Sequence, residues 1–140
     1  VTIKNNMGQT IYLWTTTNIP EPMVTLPNGQ TYQENWKINP DAGGVSIKIS
    51  TTLNEADIFQ YEYTLIGTTI WWDVSLINMA ITSLFDTLGF TVTSDNPNCL
   101  KVNCPAGDTQ CNDAYLFPTD DQATRACEAT TNMVLNLGLA

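Results

Sequence analysis

The chain has 140 residues, 43% of them apolar, enough for one hydrophobic core and too few for two. Five Lys and Arg stand against fourteen Asp and Glu, a net charge of −9. That balance offers no basic patch to a phosphate backbone or an anionic lipid surface, so neither nucleic-acid nor membrane binding is expected. Histidine is absent, which removes Ser-His-Asp and Cys-His nucleophile systems and His-ligated metals.

Residues 1–5 alternate apolar and polar, and residues 10–16 form a β-branched and aromatic run. With the turn at 6–9 between them they predict an N-terminal hairpin. Residues 18–27 contain Pro20, Pro22 and Pro27 and predict an irregular loop. Asn28-Gly29 marks a turn before a strand over 30–38, and a second turn over 39–44 precedes a strictly alternating strand over 45–50. Residues 61–78 read as two strands around Gly67-Thr68-Thr69, the first beginning near Ile58. Residues 79–88 suit a short helix or a loop, and 89–94 another strand. Toward the end, Asp120 or Asp121 could cap a short helix running through Thr130 with Ala123, Ala126 and Cys127 on one face. Residues 133–137 predict a closing strand. Eight or nine short strands with frequent turns indicate an all-β antiparallel sandwich, one domain over 1–140.

Cys99, Cys104, Cys111 and Cys127 are separated by four, six and fifteen intervening residues, without a C-x-x-C pair. An even count in a small acidic chain predicts two disulfides and an oxidising compartment, with three pairings open. Val1 opens directly into a strand-like run, so a mature secreted protein whose leader has been removed is expected. Asp95-Asn96-Pro97-Asn98 and residues 108–113 hold oxygen ligands, but neither has EF-hand spacing and turn chemistry accounts for both. No metal or cofactor is expected.

Candidate chemistry centres on Glu62 and Asp73, each set in an otherwise apolar or aromatic strand. Burying an unpaired carboxylate there is costly, so these acids either face solvent or belong to a site. Trp14, Tyr32, Trp36, Tyr61, Tyr63, Trp71 and Trp72 offer flat faces that stack on sugar rings, although strand aromatics are more often core. Trp71 and Trp72 are adjacent in a strand and must point to opposite faces, one inward and one outward.

Several segments resemble one family in order: Ile11-Tyr12-Leu13-Trp14, the turn Asn28-Gly29, Glu62-Tyr63-Thr64-Leu65, then Trp72-Asp73-Val74-Ser75-Leu76-Ile77-Asn78, then a cysteine-rich end. The chain resembles the thaumatin-like proteins, in the small, cysteine-poor fungal form of the yeast-phase-specific secreted proteins. The resemblance implies a thaumatin-like sandwich in which Arg125-Ala126-Cys127 packs as a short disulfide-tethered helix. It also implies the bridges Cys104–Cys127 and Cys99–Cys111. It places Glu62 and Asp73 at an acidic cleft associated with β-1,3-glucan, with Asn78 where the family has a second aspartate.

Hydrolysis of a glycosidic bond needs two carboxyls, one protonated and one ionised. Asn78 cannot ionise, which favours binding over catalysis. The expectation is a secreted protein that binds a β-glucan-like polysaccharide through Glu62, Asp73, Asn78, Trp71 and Trp72. The alternatives are a weak endo-β-1,3-glucanase using Glu62 and Asp73, and an effector-like module with a protein partner.

Overall fold

The computed structural model describes residues 1–120 and 123–138. Eleven strands are described: β1 (Thr2–Asn5), β2 (Ile11–Thr16), β3 (Val24–Leu26), β4 (Thr31–Gln33), β5 (Val45–Ser50), β6 (Ile58–Ile66), β7 (Thr69–Ser75), β8 (Phe90–Ser94), β9 (Val102–Cys104), β10 (Arg125–Glu128) and β11 (Met133–Leu137). One short helix, α1 (Leu84–Leu88), precedes β8. The strands form a five-stranded sheet in the order β4-β1-β11-β8-β9 and a six-stranded sheet in the order β10-β7-β6-β5-β2-β3. Among the described strands, only β1 and β11 pair in parallel.

Strict alternation builds the space between the sheets. Ile3, Phe90, Val92, Leu135 and Leu137 face inward from the first sheet, and Ile11, Leu13, Ile47, Ile49, Phe59, Tyr61, Ile70 and Val74 from the second. Burial of these side chains is the main force holding the two layers together. Phe85 of α1 is fully buried against Phe59, so the helix closes one end of the sandwich. The Ser83 hydroxyl accepts the Phe85 N–H at its start, and Gly89 ends it with φ +77°.

Several expectations are corrected. β1 and β2 are not a hairpin, because they belong to different sheets and residues 6–10 cross between them. β1 bonds β11 on one side and β4 on the other, filling both of its edges. The crossing is held by the fully buried Asn5, whose amide donates to the Gln9 and Leu26 carbonyls and accepts the Met7 N–H. The same demand for backbone partners makes Val24–Leu26 a strand on the edge of β2, where prolines suggested an irregular loop.

The C-terminal helix is absent among the described residues. Arg125–Glu128 is extended and pairs antiparallel with β7, covering an edge that would otherwise present unpaired backbone groups. Asp120 closes the preceding turn by accepting the Leu116 and Phe117 N–H groups instead of capping a helix. Asp121, the other candidate cap, lies outside the described residues.

The disulfides are Cys99–Cys127 and Cys104–Cys111, not Cys99–Cys111 and Cys104–Cys127. Cys127, on the inner side of β10, faces Cys99 with Cα atoms 5.4 Å apart. Residues 105–108 form a tight turn, Asp108 N–H to Pro105 carbonyl, that brings Cys111 back to Cys104.

Candidate functional site

β6 and β7 are joined by the tight turn at Gly67, whose φ of +59° suits a residue without a side chain. The turn sets the register so that Glu62 sits directly opposite Asp73. Residues paired across strands share a face, with Cβ atoms about 5 Å apart. Thr16, Ser46, Glu62 and Asp73 therefore make one row across the outward face of the six-stranded sheet. Trp14, Lys48, Gln60 and Ser75 make the row on one side, and Thr64, Trp71 and Ala126 the row on the other.

The structure separates the sequence candidates. Glu62 and Asp73 come together, both half-buried. Trp71 lies in the next row of the same face, 44% exposed, with the small Ala126 as its outer neighbour. Trp72 is 1% exposed and faces inward, so it is not a ligand contact. It stacks on Tyr61 at 5.9 Å, lies under the Arg125 guanidinium at 5.5 Å, and donates its indole N–H to Cys127 Sγ. Asn78 is exposed but lies off the row: its carbonyl accepts the Ile58 N–H, four residues before Glu62. At about 3.3 Å per residue that is roughly 13 Å along the strand.

Of the other aromatics, Trp14, Tyr61 and Tyr63 are buried and Tyr32 and Trp36 half-buried. Trp36 rests on Tyr63 with ring centroids 4.7 Å apart and donates to the Ala129 carbonyl. The turn acids are also committed: Asp95 to Asn132, Asp108 to the Gln110 N–H, and Asp113 to the Asn103 N–H and Arg125.

Half-burial of both acids changes the carboxyl chemistry. Burial pushes the Asp73 carboxyl up to about 7, the facing Glu62 adds to the rise, and Arg125 opposes it. Burial also raises Glu62, against the Ser75 hydroxyl and Lys48. Asp73 Oδ1 is closed to solvent and has no hydrogen-bond partner among the described residues. Raised to about 7, the Asp73 carboxyl can donate as well as accept near neutral pH, on a face that carries an open indole.

Ser46, Lys48, Gln60 and Thr64 join this face and were not singled out by sequence reasoning. The alternation of Val45-Ser46-Ile47-Lys48-Ile49 already put Ser46 and Lys48 on one side of their strand. Which residues they stand beside depends on the cross-strand register.

The family model of the Blastomyces yeast-phase-specific protein matches residues 1–138. The chain belongs to this family. It is 45% identical over 140 residues to the secreted thaumatin-like protein calA of Emericella nidulans, covering all of this chain and 81% of that protein. It is 34% identical over 139 residues to an antigenic thaumatin-like protein of Arthroderma benhamiae, covering 97% of this chain and 70% of that one. The crystal structure of the protein elicitor MoHrip2 from Magnaporthe oryzae shares the fold with a TM-score of 0.79 at 20% identity, over 99% of this chain and 97% of that one. The thaumatin-like xylanase inhibitor TLXI shares it with a TM-score of 0.61 at 11% identity, over 96% of each chain. This yeast-phase-specific family member is thus a secreted thaumatin-like protein, and its two disulfides suit an extracellular setting.

Proposed function

We propose that the outward face of the six-stranded sheet binds a cell-wall β-glucan or related polysaccharide. The observation that carries this reading is the register of β6 and β7, which sets Glu62 against Asp73 with the exposed Trp71 in the next row of the same face. The indole stacks on a sugar ring, and the carboxyl pair takes hydrogen bonds from its hydroxyls or gives one back from protonated Asp73. Pull-down with insoluble β-1,3-glucan tests it. The wild-type chain is retained, and Trp71→Ala loses most of that retention. A folded wild-type protein that no β-glucan retains sinks the reading.

One observation favours a second reading, weak endo-β-1,3-glucanase activity. Asp73 keeps its proton to about pH 7 beside a second carboxyl, the division of roles that a glycosidase needs. Weighing against it, Asn78 supplies no further acid and sits well down the strand. Reducing-sugar release from laminarin decides: a hydrolase loses activity in both Glu62→Gln and Asp73→Asn. The effector-like role predicts indifference to sugars in both assays.

A further inference from the structure

Beyond the end of β7, the connection at 76–81, the helix α1 and the segment 109–117 border an open recess of about 330 Å³. It is lined chiefly by Ile77, Met79, Ile81, Leu116 and Phe117, with Asp86 at its wall. Ile81 is 95% and Phe117 58% exposed, and Ile77 also reaches solvent. Apolar side chains gathered this way around one hollow mark an interaction surface more often than chance scatter does.

The acid in the wall is uncommitted. Asp86 Oδ1 is closed to solvent and has no hydrogen-bond partner among the described residues. Its neighbours Asp57 and Asp108 are both engaged, Asp57 with the Ala80 N–H and the Ser83 hydroxyl, Asp108 with the Gln110 N–H. Burial and these two acids all push the Asp86 carboxyl up, and no basic group counters them. Among the described residues, the ion pairs use Lys37 and Arg125 and leave Asp86 without one. An orphaned acceptor in a negative surround is complementary to a cation.

We propose that this recess docks a partner protein through a segment that carries a Lys or Arg between apolar residues. The cation meets Asp86, and its apolar neighbours cover Ile77, Ile81 and Phe117. The volume sits at the floor of the range for small-molecule pockets, and the apolar side chains stand around the hollow instead of enclosing it. That shape suits one inserted side chain ringed by surface contacts, the anatomy of an interface anchor. The surface is separate from the glycan face, since none of its residues lies in the rows around Glu62 and Asp73.

Amide NMR on the full chain tests the proposal with a capped Gly-Leu-Arg-Leu-Gly peptide as probe. The peptide shifts the amides of Ile77, Ile81, Asp86 and Phe117, and Gly-Leu-Glu-Leu-Gly does not. Asp86→Asn, which removes no side-chain hydrogen bond among the described residues, weakens binding by about fivefold or more, and Phe117→Ser does so through the apolar contact. Equal binding of the two peptides overturns the role of Asp86. Octylamine binding as tightly as the Arg peptide assigns the recess to small amines and overturns protein docking. Shifts confined to the rows around Glu62 and Asp73, or none at millimolar peptide, overturn the site itself.

Discussion

The two sides of the β6–β7 ribbon differ more than any two distant regions of the molecule. Inward, Tyr61, Tyr63 and Trp72 form a continuous aromatic layer, with Tyr61 6.4 Å from Tyr63 and stacked on Trp72. Outward, Glu62, Asp73 and Trp71 face solvent a single residue away in sequence. The pleat of a strand lets adjacent tryptophans serve stability and recognition separately.

Substitution of the inner ring gives the largest expected effect. Trp72→Ala empties the space between Tyr61 and the Arg125 guanidinium, and a loss of about 3–5 kcal/mol is expected in urea denaturation. A loss below about 1 kcal/mol would mean that this ring is not structural.

Asp73→Asn reads the coupling of folding to protonation on the outer side. Folded Asp73 holds its proton to about pH 7, whereas an unfolded aspartate releases it near 4. The folded chain binds more protons between those values, so stability falls as pH rises from about 4 to 7. The Asn variant lacks that fall. It is expected to be roughly 1–2 kcal/mol more stable than wild type at pH 7.5, allowing for the solvated side of the carboxyl, and nearly unchanged at pH 4. Parallel denaturation curves for the two proteins across that range would remove the coupling.

The smallest stability effect belongs to the outer ring. Trp71→Ala is expected to stay within about 0.5 kcal/mol of wild type while losing glucan retention. Thermal melts and pull-downs on the same sample check both halves. A variant that unfolds early would make Trp71 structural and collapse the contrast with Trp72.

Much of the frame was legible because its causes are local. The alternation at 45–50, the turn at Gly67 and the closing run 133–137 each specify a strand from neighbouring residues alone. Glu62 and Asp73 stood out for the same reason, as charges interrupting apolar runs. The strand over 125–128 was hidden because it has no amphipathic signature of its own and exists to cover the β7 edge. The recess beside Asp86 was hidden too, since it joins residues 76–81 and Asp86 to residues 109–117, which are distant in sequence.

Local chemistry in the sequence thus specified the all-β class, most of the strands, and a carboxyl in each arm of the central ribbon. Alternation also required that Trp71 and Trp72 part company, but period two leaves the choice of face open. Packing of Trp72 against Tyr61 and Cys127 made that choice. The disulfide partners, the separation of β1 from β2 and the alignment of Glu62 with Asp73 likewise depend on how distant segments meet. Such contacts form only when the two sheets close on one another, which no single stretch of chain encodes.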